Sequence, residues 1–341
     1  MEVKSHLPYD EQLAKMVSRG LAYSDRRLAM LALKRIGYYR LSAYTYPFRA
    51  PSDGAADSQS SDPDMSAMKS RSEMFVPGST FDEALRLYSF DEKLRQILLE
   101  GLNSVEVGIS MKIAYTLGKR DSMAHTVPAH LDLARCDSVR LSGQNVGDTE
   151  HQAWTSRYEK LKQDAIQEEY VKHHVLKYGG NIPIWAAVEF LDFGSLIRLF
   201  NLMKPEDTRK IANELGLHKN GATTLFRWLK ALNILRNHCA HSNRVWNRST
   251  VDVPPKFSVD VVGARLSHLN DLDNAKRQKV YYLAALIAYL LAEINPNTDW
   301  PRSFRTVARK LRNVHGMTVE SSMGFPEGWD ALPLWGYQAP I

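Results

Sequence analysis

The stretch Thr80-FDEALRLYSFDEKLRQILLEGLNSVEVGISMKIAYTL-Gly118 decides the fold class of this 341-residue chain. Its apolar residues recur at spacings of three and four from Leu85 to Ile113, which is the period of an amphipathic α-helix. Thr80 and Glu83 form a capping-box pattern at the start, and Gly118 is suited to end a helix. The pattern therefore predicts one long helix, the longest of the protein.

Similar helical patterns lie on both sides of this stretch, and period-2 runs of more than a few residues are absent from the sequence. Ser24 is the predicted N-cap of the second helix. The sequence predicts an all-α protein. We expect helices over Tyr9–Gly20, Ser24–Ile36, Thr149–Lys177, from Asn181–Trp185 onward with Pro183 in the first turn, Thr208–Leu215, Thr223–His241 and Asn274–Glu293.

Composition shifts along the chain suggest four parts. Residues 1–48 form an N-terminal helical segment, and the polar, Ser- and Asp-rich residues 49–75 form a mobile loop. Residues 76–250 form the helical core, with an insertion of mostly connecting structure near 119–148. Residues 251–341 comprise a C-terminal helix and a Trp- and Pro-rich tail, which we expect to pack over the core as a strap.

The bulk composition is that of an ordinary globular protein, with 44% hydrophobic and 24% charged residues and a net charge of +6. This charge permits a nucleic-acid partner without arguing for one. Two cysteines are too few for a disulfide framework, which favours a reducing compartment. The N-terminus resembles no signal peptide, and the longest apolar run, residues 281–292, is too short to cross a bilayer. We expect a soluble, cytoplasmic protein with no membrane contact.

The stretch Asn233-ILRNHCAHSNRVWN-Arg248 concentrates histidine, arginine and asparagine directly after an apolar helical run. On a helical wheel, Arg236 continues the apolar stripe, whereas Asn237 and His241 lie on a second stripe that begins at Lys230. Arg236 and His241 are five residues apart, about 140° around an ideal helix. They would meet at one phosphate only if the helix end distorts or if two copies of the chain face each other. The second arrangement predicts a symmetric dimer with a composite cleft.

These side chains suit phosphodiester cleavage. An arginine fork matches phosphate oxygens, and a histidine can take or give a proton near neutral pH. With RNA as substrate the 2′-hydroxyl is a built-in nucleophile, so no metal or other cofactor is needed. The alternative is that His241 simply interacts with the helix dipole. His238 and His241 could pair on a metal, but Cys239 points to another face, and we expect no metal site. The residues alone leave both interpretations open.

Two further positions have alternative interpretations. Arg40 lies among four tyrosines in the segment Gly37–Phe48, which is either an aromatic packing segment or a base-stacking surface beside a phosphate-binding arginine. Glu106 occurs among apolar positions of the long helix. It is either a surface glutamate or an acid that holds a basic residue in place.

The motif Arg236-Asn-His-Cys-Ala-His241 resembles the Arg, polar residue, short spacer, His signature of HEPN domains. Other segments, in the same order along nearly the whole chain, resemble the Abi-like family of AbiD/AbiF type. Residues 51–72 and 119–147 lie outside the resemblance and look like insertions. The matching segments are Gly37–Tyr44, Leu87–Arg95, Val105–Val107, Ile182–Glu189, Phe193–Leu196, the block from Leu235 to His241 and Met323–Pro326.

The resemblance implies a HEPN-type helical bundle core with extra N-terminal helices and a C-terminal extension. It also implies a metal-independent ribonuclease that acts as a dimer in abortive infection, a defence against phage. By position, Arg236 would bind the phosphate, His241 would be the general acid or base, and Asn237 would fix the histidine or the substrate. Glu106 would orient Arg236 of its own or the partner subunit. The expected products are a 2′,3′-cyclic phosphate and a 5′-hydroxyl.

The expected partners are an RNA substrate, a second copy of the chain, and an RNA or protein antitoxin that restrains the enzyme. Arg244, His173, Lys177 and Arg40 are candidates to line the RNA path. A non-catalytic protein that holds a regulatory RNA at the same helix end is the main alternative. A purely structural interaction module, with Arg236 in a core salt bridge, is the third.

Overall fold

The computed structural model describes residues 5–52, 71–143, 145–250, 256, 259–311 and 313–336, and within them the predicted all-α class is confirmed. A two-stranded sheet accompanies the helices. The α-helices are α1 (Tyr9–Ser18), α2 (Arg26–Ile36), α3 (Tyr38–Thr45), α4 (Phe81–Gly118), α5 (Leu133–Cys136), α6 (Glu150–Asp164), α7 (Glu169–Tyr178), α8 (Ile184–Ala187), α9 (Phe193–Leu202), α10 (Pro205–Glu214), α11 (Gly221–Ala240), α12 (Val259–Val262), α13 (Asn274–Arg277), α14 (Val280–Ile294), α15 (Trp300–Ala308) and α16 (Val319–Met323).

The predicted long helix is α4, and the other core helices are arranged around it. Its capping box is formed as predicted, because the backbone N–H of Glu83 donates to Thr80 Oγ1 over 3.2 Å and Glu83 accepts the N–H of Thr80 over 3.0 Å. Helices α3, α11, α14 and α15 all contact it. Buried side chains recur along its whole length, so α4 forms the centre of one hydrophobic core.

The C-terminal helices cover one side of α4 closely. The indole N–H of Trp300 donates to the carbonyl oxygen of Ile97 over 2.7 Å, which places the ring directly over Gly101. Further along, Trp335 stacks on Phe304 with ring centroids 5.0 Å apart. The aromatic tail therefore lies against α14 and α15, where it completes the core. In the part of the chain that the structure describes, no helix is both long enough and apolar enough to cross a membrane.

The ends of the segment predicted as a mobile loop are ordered strands. Strand β1 (Arg49–Pro51) pairs antiparallel with β2 (Arg71–Phe75). The Arg71 guanidinium donates to the carbonyl oxygens of Pro47 and Arg49 over 2.9 and 2.7 Å and fastens the pair. Strands this short show too little alternation to be recognised in a sequence. The middle of the predicted loop, residues 53–70, lies outside the described residues.

Several predicted helix boundaries differ from the structure. Asp25, not Ser24, caps α2, because Ser24 instead donates to Asp82 at the start of α4 over 2.7 Å. Pro183 precedes the short helix α8 as its N-cap residue and lies outside its first turn. The helices predicted over 149–177 and 274–293 are each divided in two.

The predicted insertion near 119–148 contains more structure than expected. It includes a 3₁₀ helix over Pro128–His130, the short helix α5 and the fully buried His125. The His125 ring lies edge-on to Trp154 and Tyr158, with centroids 6.1 and 5.2 Å away. Burial disfavours the charged imidazolium and lowers the pKa of His125 to about 4. This segment therefore contributes side chains to the core.

Candidate active site

The motif lies at the C-terminal end of α11, which remains regular to its last turn. The N–H of His241 donates to the carbonyl oxygen of Asn237 over 3.0 Å, so the helical hydrogen-bond pattern continues to His241. Ser242 then adopts a left-handed conformation (φ 56°) and ends the helix. Because the helix does not distort before His241, Arg236 and His241 stay on different sides of α11.

Arg236 faces α4 and forms an ion pair with Glu106. Arg236 Nε lies 3.5 Å from Glu106 Oε2, longer than the roughly 2.7–3.2 Å of ordinary N–H···O hydrogen bonds. The Arg236 side chain is 32% exposed and that of Glu106 17%. The guanidinium thus lies with its Nε edge toward a half-buried carboxylate, and part of it remains open to a ligand.

The N-terminus of α9 also lies close to Glu106. The backbone N–H of Phe193 favours the charged form of Glu106, and the adjacent Asp192 caps α9 by accepting the N–H of Ser195 over 2.7 Å. Burial raises the pKa of Glu106 and the charge of Asp192 adds to this effect, while Arg236 opposes it. Burial would also raise the pKa of Asp192, but hydrogen bonds, first of all from Arg157, lower it overall. Two carboxylates and two guanidiniums therefore meet where α9 begins.

The second stripe of the motif faces solvent. Asn237 and His241 are exposed, whereas His238 is half-buried and contacts Asn243. Burial lowers the pKa of His238, helped by the charges of Arg248 and His241, so His238 is neutral near pH 7. Burial raises the pKa of Cys239 to about 12, which keeps its thiol protonated. Among the described residues, no group of three His, Cys, Asp or Glu side chains is arranged to hold a metal ion.

Asp91 is a site residue that the sequence analysis missed. This carboxylate is fully buried and accepts the backbone N–H groups of Val245 and Trp246 over 3.2 and 2.6 Å. It also accepts the hydroxyl of Tyr44 over 2.6 Å and forms an ion pair with Arg95. Asp91 therefore fixes the backbone that follows the motif.

The sequence contains a pattern that indicates a structural role for Asp91. Asp91 occupies the same apolar stripe of α4 as Leu87, Leu94 and Leu98, all of them buried, and Arg95 follows four residues later. A charged pair within a core stripe needs a polar partner inside the protein, because burying unpaired charge costs free energy. The sequence could not indicate that this partner is the backbone 154 residues away.

The remaining candidate residues are spread over other surfaces. Arg40 is exposed on α3 beside Tyr39, which is 90% exposed, while Tyr44 of the same helix is buried against Trp246. Arg244 is half-buried in the segment that Asp91 fixes. On α7, His173 contacts His174 and Tyr178, and Lys177 Nζ lies 5.3 Å from the centroid of the Tyr178 ring. Among the candidate residues on different helices, the structure pairs Arg236 with Glu106.

Comparison with known proteins gives one family. The family model described as Abi-like protein matches residues 31–247, more than half of the chain. The matched span contains α4, α9 and α11 and every candidate residue discussed above. No curated protein and no solved structure matches the chain.

Proposed function

The chain belongs to the Abi-like protein family, and from this membership and the geometry at Arg236 we propose that it is a metal-independent endoribonuclease of HEPN type. The family suggests an abortive-infection function. The observation that supports a nuclease is the partly exposed Arg236, held at its Nε edge by Glu106 and followed by the exposed Asn237 and His241. A fixed cation and an exposed imidazole suit phosphoryl chemistry when two copies of the chain bring them together.

In this proposal Arg236 binds the scissile phosphate of RNA. Its guanidinium is positively charged at every working pH and offers paired donors to phosphate oxygens. Glu106 is a positioning residue, because it limits the guanidinium to one orientation and touches no substrate. Preorganised charge of this kind stabilises the charge that develops at phosphorus without moving during the reaction.

His241 is the proposed general acid or base, and Asn237 fixes the histidine or the substrate. The 2′-hydroxyl of the RNA attacks phosphorus and loses its proton, the bond from phosphorus to the 5′-oxygen breaks, and that oxygen gains a proton. The products are a 2′,3′-cyclic phosphate and a 5′-hydroxyl. Both proton transfers can be made by imidazole, which titrates near neutral pH.

We place this site at the interface of a symmetric dimer. Arg236 and His241 lie on different sides of a regular helix, so one phosphate is more readily contacted by Arg236 of one copy and His241 of the other. A surface for a second copy adjoins Glu106 on α4, where Val107, Met111 and Tyr115 are exposed at spacings of four. Exposed apolar patches of this kind often mark protein interfaces.

An RNA or protein antitoxin is the proposed means of restraint, since an unrestrained ribonuclease in the cytoplasm would arrest the cell that makes it. The second candidate function is a non-catalytic protein that holds a regulatory RNA. The exposed Tyr39 beside the exposed Arg40 favours it, because a tyrosine face and an arginine together can bind a base and a phosphate.

The test compares wild type with Arg236→Ala and His241→Ala, following host growth and RNA integrity on induction, and then cleavage by purified protein in EDTA. His218→Ala, another exposed histidine, is the matched control. We expect toxicity and cleavage from wild type and the control, and loss of both from the two motif variants. An active His241→Ala would disprove the catalytic assignment. Tight RNA binding by wild type without cleavage, with or without added metal, would favour the binding protein.

A further inference from the structure

A groove with a volume of about 420 Å³ lies between α9 and α11, next to the candidate active site. Helix α9 contributes Arg198 and Asn201 to its walls, and α11 contributes Phe226, Lys230 and Asn233. Its wall also includes Gly194, two residues after Asp192, whose charge acts on Glu106. Because Asn233 precedes Arg236 by three residues, the groove lies within about one helical turn of the motif.

The charge in this groove is positive and only partly balanced. Its walls contain three cationic side chains and one carboxylate, and that carboxylate, Glu150, pairs with Arg140 over 2.9 Å. Arg198 and Lys230 are exposed, and within the described residues neither forms an ion pair. Two cations without an ion-pair partner in a concave surface favour an anionic ligand, since a concave wall concentrates their field.

The other groups suit a nucleotide more closely than a simple anion. The amides of Asn201 and Asn233 can donate and accept hydrogen bonds, which base edges and ribose hydroxyls require. Phe226 is half-buried, and Lys230 Nζ lies 5.9 Å from the centroid of its ring. An aromatic face next to a cation is an arrangement on which a base can stack while its phosphate is neutralised.

One face of α11 connects the groove to the motif. Lys230, Asn233, Asn237 and His241 follow one another at spacings of three, four and four, and therefore lie along one side of the helix. At 1.5 Å per residue this side extends for about 16 Å. A strand bound in the groove can thus continue along α11 to His241.

We propose that this groove binds single-stranded RNA on one side of the cleavage point, with Arg198 and Lys230 on its phosphates and Phe226 against a base. The proposal deepens the ribonuclease function and rests on it for the identity of the substrate. A single strand fits better than a duplex because its bases are free to stack on Phe226, whereas A-form RNA keeps its bases paired and is recognised across its wide minor groove.

The test measures binding of a fluorescent 12-nucleotide single-stranded RNA by the full chain carrying His241→Ala, which prevents cleavage. The groove variant is Arg198→Ala combined with Lys230→Ala, and the matched control is Arg227→Ala, an exposed arginine on α11 outside the groove. Alanine is a strong helix former, so both helices should be retained, and thermal unfolding of each variant checks this. We expect the groove variant to bind about tenfold more weakly or worse, with a shallower salt dependence, and the control to match the parent.

Equal binding by the groove variant and the Arg227→Ala control would overturn the groove while leaving the ribonuclease proposal standing if wild type cuts RNA. Conversely, the groove variant alone could lose binding while wild type never cuts RNA. That result would support RNA binding by the groove and overturn the ribonuclease proposal. No RNA binding by the parent at low salt would overturn the groove as well. If the groove variant loses as much affinity for a matched RNA duplex as for the single strand, the result would contradict single-strand binding.

Discussion

The carboxylate of Asp91 accepts the backbone N–H of Trp246 over a distance of 2.6 Å, across a sequence separation of 155 residues. This bond joins the central helix α4 to the chain just after the motif. The same carboxylate binds Tyr44 and Arg95, so three parts of the protein depend on one buried charge. The course of the chain after His241 therefore depends on core packing as well as on α11.

Replacing Asp91 with alanine should destabilise the protein severely. The change leaves Arg95 buried without its counter-charge and two backbone N–H groups without an acceptor. Breaking a buried ion pair in this way costs about 3–5 kcal/mol. Urea unfolding would measure the loss, with the exposed neighbour Glu92→Ala as control. If the two variants unfold at the same urea concentration, Asp91 does not hold this region together.

Replacing Glu106 with glutamine should impair cleavage while the fold is kept. The amide retains the shape of Glu106 but no longer attracts Arg236, and a catalytic group misplaced by an ångström can cost about 100-fold. We expect the loss mainly in kcat, measured on a defined RNA. Glu100→Gln, exposed on the same helix, is the control and should behave as wild type.

The pH dependence of cleavage distinguishes a positioning role of Glu106 from a purely structural role. Burial raises the pKa of Glu106, so the carboxylate becomes neutral at a higher pH than an exposed glutamate would. As the pH falls through that pKa, the ion pair with Arg236 is lost and wild-type cleavage should decline. Glu106→Gln is neutral throughout and should lack this acidic limb. The same limb in both enzymes would assign it to another group.

Dimer formation should depend on the exposed apolar residues of α4. Met111→Glu places a charge in the middle of the Val107, Met111 and Tyr115 stripe, and desolvating that charge in an interface is costly. Sedimentation at micromolar concentration should show a wild-type dimer and a variant shifted toward monomer, with reduced cleavage. Met74→Glu, at a somewhat more exposed methionine on β2, should remain dimeric. A wild-type monomer that cuts RNA would contradict the composite site.

Replacing His125 with phenylalanine should reduce the sensitivity of the protein to acid. In the folded protein the pKa of His125 is lowered to about 4 by burial, whereas in the unfolded chain it stays near the ordinary value of 6.5. The unfolded state therefore binds an extra proton between these values, and stability falls as the pH drops through this window. The lost free energy of unfolding is roughly 3 kcal/mol from this residue. Urea unfolding at pH 7 and pH 4.5 should show a smaller difference for His125→Phe than for wild type.

Gly101→Ala should destabilise α4 even though alanine is the better helix former. A Cβ atom at this position would lie 2.5 Å from the Trp300 ring and 2.8 Å from Ile287. Overpacking costs about 1–3 kcal/mol, which outweighs the gain of about 1 kcal/mol in helix propensity. Thermal unfolding should show a lower Tm for Gly101→Ala and no decrease for Ser104→Ala, an exposed site on α4.

Local patterns predicted the helices well and their contacts poorly. The capping box at Thr80, the end of α4 at Gly118 and the course of α11 follow from residues within a few positions of one another. The N-cap at Asp25 was misassigned because Ser24 binds Asp82, 58 residues later. The pairing of β1 with β2 was missed for a different reason: each strand is too short to show its own period.

For the candidate site, the sequence alone determined that Arg236 and His241 occupy different stripes of one helix, because helical periodicity is fixed by the backbone. It could offer Glu106 only as one possible partner for a basic residue. Tertiary structure decided that Glu106 faces Arg236 at 3.5 Å, that Asp91 fixes the backbone after the motif, and that α9 and α11 enclose a basic groove. These relationships depend on how helices distant in sequence pack around α4, and the free energy of that packing is distributed over the whole core.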